Sequence, residues 1–139
     1  MAVAAPLFHV KQAGTNLPPL TAPEFQALSG CSGTQLARLT AYLHLLTHWQ
    51  RRINLVGAST LTDPWRRHIL DSQQLAPLLP AGAQAVTDLG SGAGFPGLVI
   101  AILTAGRVTL VEADQRKAAF LAAAARVSET DVAIACQRM

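Results

Sequence analysis

The chain has 139 residues, half of them apolar and 14% charged, with a formal net charge of +3. That length allows one domain with at most a small appended subdomain, and that composition excludes a disordered chain. The mild basic excess suits an anionic partner such as RNA, and equally an ordinary basic protein. The cysteines, Cys31 and Cys136, stand far apart and in no metal-type spacing. They exclude a disulfide framework and point to a reducing compartment, with the cytoplasm as the simplest location.

The opening MAVAAPLFHV has no basic stretch, and Pro6 and His9 interrupt its apolar character, so it does not read as a signal peptide. The apolar runs 98–105 and 118–125 are too short to span a bilayer. Residues 1–20 read as a loose arm, broken by Gly14, Pro18 and Pro19. A helical subdomain is expected over 21–82 and part of an α/β sheet domain over 83–139.

Thr21 starts the first helix, with Glu24 placed to reach back to the cap, and Ser29-Gly30 ends it. The spacing of Leu36, Leu39, Leu43, Leu46 and Ile53 predicts a longer helix over 34–52. A turn at Gly57 follows. Thr62-Asp63-Pro64 opens another helix, with Pro64 suited to its first turn and Trp65, Ile69 and Leu70 packing inward. Asp71-Ser72 begins a further turn or carries that helix to about Leu79, and Pro80 and Gly82 end the helical part.

The pattern then changes. A short strand over 86–89 runs into GSGAGFPG, and a helix is expected over 96–104. A strand over 108–112, a helix over 115–127 and a strand over 132–136 complete a strand–helix alternation. That alternation implies parallel strands joined by right-handed crossovers.

The chemistry lies in Asp88-Leu89-Gly90-Ser91-Gly92-Ala93-Gly94. Glycines between a buried strand and a helix permit backbone angles closed to other residues and let a ligand lie against the main chain. Two cofactors compete for such a loop. Gly92, Gly94 and Gly97 satisfy the dinucleotide spacing G-x-G-x-x-G, whereas Gly90, Gly92 and Gly94 behind Asp88 satisfy D-x-G-x-G-x-G, the methyltransferase spacing. The second fits better. Gly90 follows the strand directly, Asp88 closes that strand where the amino end of S-adenosylmethionine can use it, and Pro96 stands where a pyrophosphate needs amides. Glu112, 22 residues after Gly90 at the end of the second strand, is placed to accept the hydroxyls of a ribose, or is a solvated strand-end charge.

The stretches HWQRRINLVG (48–57), RRHILDS (66–72), TDLGSGAGFPG (87–97) and VTLVEADQRKAAFL (108–121) carry a family resemblance. From about Leu36 onward the sequence resembles the RsmG (GidB) family of 16S rRNA guanine-N7 methyltransferases. The resemblance implies a helical N-terminal part packed on a Rossmann-like methyltransferase sheet, and S-adenosylmethionine as cofactor. It also implies 16S rRNA of the small ribosomal subunit as partner, with no membrane. It places Gly90 and Phe95 in the cofactor site, Glu112 on the ribose, and the segment beginning about Met139 at the adenine.

Three departures stand out. Arg116-Lys117 reverses the family's usual order, and Gln50 replaces an asparagine-type residue. The family pattern also continues beyond Met139 with a strand that pairs beside the first one. Of the expected sheet only the first three parallel strands are present, so the first strand should lie at an edge. Open ladder groups favour edge association, and unpaired buried groups cost about 1–3 kcal/mol each.

Guanine N7 has a free lone pair, so no catalytic base is required and none is assigned. Arg51, Arg52, Arg66 and Arg67 are candidate RNA contacts, or solvated helix faces pairing with Asp63 or Asp71. Trp49 and Trp65 fit core positions better than base stacking. His44 and His48, one helical turn apart, lack a third ligand, so no metal is expected. His68 is expected to order a turn against Asp71, and Cys136 to be a buried strand residue. Besides an active methyltransferase, a non-catalytic relative that binds cofactor or RNA and an NAD-binding oxidoreductase fragment remain open.

Overall fold

The computed structural model describes residues 17–80, 85–104 and 106–138. The start of the expected arm, the turn at Gly82 and the terminal Met139 lie outside the described residues.

Helix α1 spans Ala22–Ser29. The Thr21 hydroxyl accepts from the Glu24 amide while the Glu24 carboxylate accepts from the Thr21 amide, and Gly30 ends the helix at φ 72°. Helix α2 spans Gly33–Gln50 and starts from a second capping box, Ser32 with Gln35, one residue ahead of the expected start. Its buried face is Leu39, Tyr42, Leu43 and Leu46, the spacing of a single helical stripe.

The end of the expected loose arm is pinned. The Leu20 amide donates to Asp63 Oδ1 at 2.9 Å, and Arg66 donates to the Pro18 carbonyl at 3.0 Å while forming an ion pair with Asp63. A 3₁₀ turn over Ala58–Thr62 precedes the segment expected to be helical from residue 62. That segment forms a π-helical turn over Trp65–Leu70, the short α3 over Asp71–Gln73 and a second 3₁₀ turn over Ala76–Leu78, so of the two expected continuations the further turn at Asp71-Ser72 is the one found. Proline gives the physical reason at the far end: Pro77 has no amide to donate, so the ladder cannot run through it, whereas Pro64 stands ahead of Trp65–Leu70, where no ladder amide is needed. Trp65 packs on Phe25 of α1 with ring centroids 5.4 Å apart, as expected for a core residue.

Strands β1 (Ala85–Leu89), β2 (Arg107–Val111) and β3 (Ala133–Ala135) are all parallel, in the order β1-β2-β3, with Leu89, Val111 and Ala135 in register. Helices α4 (Gly97–Leu103) and α5 (Gln115–Val127) make the crossovers. Successive right-handed crossovers in one direction put both helices on the same face of the sheet, and α2 packs across both of them. Among the described residues β1 has one strand neighbour, and Leu89 is 65% exposed. The expected edge position of the first strand is thus what the ladder shows.

The third strand is shorter than expected. The Glu112 amide donates to Ala135 O at 3.0 Å and the ladder stops there, so Cys136 lies past the strand and is exposed, not buried. Its thiol faces the Ala113 carbonyl at 3.8 Å. No helix among the described residues is long and apolar enough to cross a membrane.

One core joins the helical segments to the sheet. Phe25, Leu39, Tyr42, Leu46, Ile69, Leu98, Val99, Leu110, Phe120, Leu121 and Ala124 are all fully buried within it. Tyr42 is the polar member, and its hydroxyl donates to the Ala93 carbonyl in the glycine loop at 2.5 Å. Burial holds that phenol well above its usual pKa, so it stays a donor. Tyr42→Phe removes the donor and leaves a buried carbonyl unpaired. It should lower stability by about 1–3 kcal/mol, read from urea unfolding of the two proteins.

Candidate cofactor site

The site is built at the carboxyl ends of β1 and β2. Gly90 and Ser91 both donate their amides to the Val111 carbonyl, at 2.8 and 3.0 Å, which turns the chain sharply out of β1. The Ser91 hydroxyl returns to the Asp88 carbonyl at 2.9 Å, and the Gly94 amide closes a further turn onto Ser91 O. Gly90, Gly92 and Gly94 have φ of 71°, 55° and 97°, which explains why these three positions carry no side chain.

Glu112 is buried immediately after β2. Its Oε1 accepts from the Gly92 amide at 2.7 Å and its Oε2 accepts from the Asp114 amide at 3.0 Å. The structure therefore brings the expected acid directly against the glycine loop. Each carboxylate oxygen can accept more than one hydrogen bond, so acceptor capacity remains for a hydroxyl. Asp114 in turn caps α5, accepting from the Arg116 and Lys117 amides at 2.8 and 3.3 Å. Those two bonds hold its carboxyl below the usual range.

Asp88 stands at the other side of the turn. Its Oδ2 accepts from the Gly97 amide at 3.1 Å. Burial pushes its carboxyl up, opposed by that amide and by Ser91. Gly97 is packed so closely that a Cβ there would meet Leu110 Cδ2 at 2.5 Å and Asp88 Oδ2 at 2.6 Å. The start of α4 consequently offers little to an anion. Pro96 has no amide, Gly97 gives its amide to a carboxylate, and Leu98 gives its own to Gly94 O at 2.8 Å.

Phe95 links the loop to the helical part. Its ring lies 5.3 Å from that of Tyr42 and 4.6 Å from that of His68, both in stacked geometry. His68 Nε2 in turn meets the Thr60 hydroxyl at 2.6 Å, so the ring braces Phe95 from the side of Thr60. Desolvation lowers the His68 pKa, helped by Arg67 and opposed by Asp71.

Tyr42, Ser91, Asp114 and the Phe95–His68 stack were not singled out from the sequence. Tyr42 was findable, since it falls on the Leu39–Leu46 stripe as its one polar-tipped residue. Asp114 was findable too, as the residue ahead of α5 that caps its first amides, and the Ser91 hydroxyl bond is local, whereas the Phe95–His68 stack depends on segments far apart in the chain.

The arginines divide. Arg51, Arg52 and Arg67 are exposed, whereas Arg66 is occupied with Asp63 and Pro18, which leaves it a structural partner. Trp49 packs edge-on against Phe120 at 5.5 Å. His44 and His48 are exposed, and no group of three potential metal ligands occurs among the described residues.

A parallel sheet in this strand order, with a glycine turn after its first strand and an acid after its second, defines a Rossmann-like methyltransferase-type fold. The profile of the GidB family, described as rRNA small subunit methyltransferase G, matches residues 35–139, and the chain belongs to that family. It is 55% identical over 120 residues to the ribosomal RNA small subunit methyltransferase G of Rhodospirillum rubrum, covering 86% of this chain and 60% of the relative. The protein of the same description from Paramagnetospirillum magneticum is 54% identical over 116 residues, covering 84% and 57%. That from Granulibacter bethesdensis is 47% identical over 132 residues, covering 94% and 62%. The chain thus spans a little over half the length of the curated relatives it matches.

Gly97→Ala tests the packing at the start of α4. The added methyl has no free direction between Leu110 and Asp88, so stability should fall by about 1–3 kcal/mol in urea unfolding. A neutral result would show that α4 can lift off the sheet without cost.

Proposed function

We propose that the protein takes part in S-adenosylmethionine-dependent methylation of small-subunit rRNA, at guanine N7 of 16S rRNA, in the cytoplasm. The observation that carries this reading is the contact of Glu112 with Gly92, with Asp88 across the same turn. Glu112 would hold the ribose hydroxyls with the acceptor capacity its two amide bonds leave free. The exposed main chain of Gly90 and the half-buried main chain of Gly92 would lie along the amino-acid part, Gly94 would hold the turn in shape, and Asp88 would face the cationic amino end. Phe95, braced from behind, would form a wall of the site.

When bound, the cofactor supplies a methyl group activated by a sulfonium. Guanine N7 brings its own lone pair, so the chain need not remove a proton. Its residues have to place, shield and orient, which in good geometry lowers a barrier by about 7–11 kcal/mol. An NAD-type reading fits this loop poorly. A pyrophosphate needs free amides at the helix start, and here it would meet Pro96 and the Asp88 carboxylate. Because the chain spans a little over half of its relatives, binding and turnover are separate questions, and a non-catalytic form that binds cofactor or RNA is the second reading.

Isothermal titration should show binding of S-adenosylmethionine and none of NAD. Methyl transfer to small-subunit RNA lacking the modification then separates an active enzyme from a binding form. If NAD binds and S-adenosylmethionine does not, the proposal fails.

Affinity for S-adenosylmethionine should also depend on pH through Asp88. Its carboxyl is raised, so protonation sets in at a higher pH than for an ordinary carboxylate near 3.8, and affinity should fall as pH falls through that region. Asp88→Asn should bind more weakly at neutral pH and lose this acidic limb. An unchanged limb in the variant would assign it elsewhere.

A further inference from the structure

Two cavities away from the glycine loop differ in chemistry. One, of about 540 Å³, lies at the amino ends of β2 and β3, where Arg38 and Arg107 face Glu129 and Asp131. Its charges compensate one another. The other, of about 440 Å³, lies between the end of α2 and the start of α5 and is lined by His48, Trp49, Arg52, Ile53, Arg116 and Ala119. It is lined by no carboxylate, and among the described residues neither Arg52 nor Arg116 closes an ion pair, the Asp114 carboxylate acting on Arg116 only coulombically. Asp114 is the acid nearest in sequence, and one of its oxygens is already committed to the α5 amides.

We propose that the cleft between α2 and α5 seats one unpaired nucleotide of the substrate RNA, a binding site separate from the cofactor cradle. This rests on the reading of the protein as one that handles rRNA. The cleft falls in the size range of small-ligand pockets. Trp49 is half-buried and meets Phe120 edge-on, so part of its indole surface borders the cavity beside Ile53 and Ala119. An aromatic wall in a cleft that two arginines also line matches a base beside its phosphates, since guanidinium is suited to phosphate and a base stacks on an aromatic ring. A duplex would not serve, because its base faces are covered.

The location connects this cleft with the candidate site. Arg116 lies four residues beyond Glu112, in the first turn of α5. From Trp49 a run of ring contacts passes through Phe120 and Tyr42, at 5.5 and 6.4 Å, to Phe95 at 5.3 Å. A nucleotide held in the cleft would anchor the RNA on the rim that carries the cofactor loop, without entering that loop.

The test is binding of a labelled single-stranded RNA hexamer by fluorescence anisotropy over a range of salt. Arg52→Ala/Arg116→Ala should weaken binding about tenfold and reduce the slope of log affinity against log salt by roughly 1.4, from about 0.7 per phosphate contact. Trp49→Leu should weaken it about tenfold, and Trp49→Phe, which keeps a ring and the packing, should restore most of the affinity. The hexamer should bind more tightly than its abasic counterpart and than a nucleoside monophosphate. Unchanged affinity and salt slope in the double variant would overturn the proposal, as would equal binding of the abasic strand. A nucleoside monophosphate bound as tightly as the hexamer would make this a free-nucleotide site and overturn it too. S-adenosylmethionine titration of the same samples reports separately on the cofactor reading, because Arg52 and Arg116 lie outside the cradle.

Discussion

The buried carboxylate of Glu112 is the constraint around which the site is organised. A carboxylate out of water is costly unless hydrogen bonds replace its hydration. Here the Gly92 and Asp114 amides do so, one for each oxygen. One side chain thereby ties the glycine loop to the start of α5, while Gly90 and Ser91 tie the same loop to the last carbonyl of β2. The end of β2 is the hub, and the loop cannot shift without uncovering an acid.

That arrangement shows which parts of the site could be read from the residues. The positive-φ glycines and the acid after the second strand follow from local rules of backbone geometry and strand-end placement, and both are found where those rules put them. Strand order and crossovers follow in the same way. What could not be read is what each acid binds within the protein. Asp88 accepts from the Gly97 amide and Glu112 from the Gly92 amide, because folding brings those donors against them, while the second Glu112 oxygen takes the Asp114 amide two residues on.

The misreadings share that origin. The helical segment from residue 62 does not run on to residue 79, because Pro77 denies the ladder a donor. Cys136 looked like a buried strand residue by its apolar neighbours, yet the parallel ladder ends one residue earlier, at Ala135. Arg66, read either as an RNA contact or as a partner of Asp63, takes the second role, held by Asp63 and the Pro18 carbonyl. Periodicity locates an element, but pairing decides where it stops and which charges stay available.

The helical segments also shape the site from the side away from the strands. Tyr42 of α2 holds the Ala93 carbonyl, and the Tyr42 and His68 rings both pack on Phe95. A glycine-rich loop has more conformational freedom to lose than any other, so a loop of this kind stays in one form only where its surroundings hold it. Here one surface is held by Glu112 and β2, and the other by a tyrosine and a histidine from the helical part. The geometry of the cradle is therefore a joint property of both halves of the chain. A change in the helical segments that frees Phe95 should alter the loop as surely as a change in the glycines themselves.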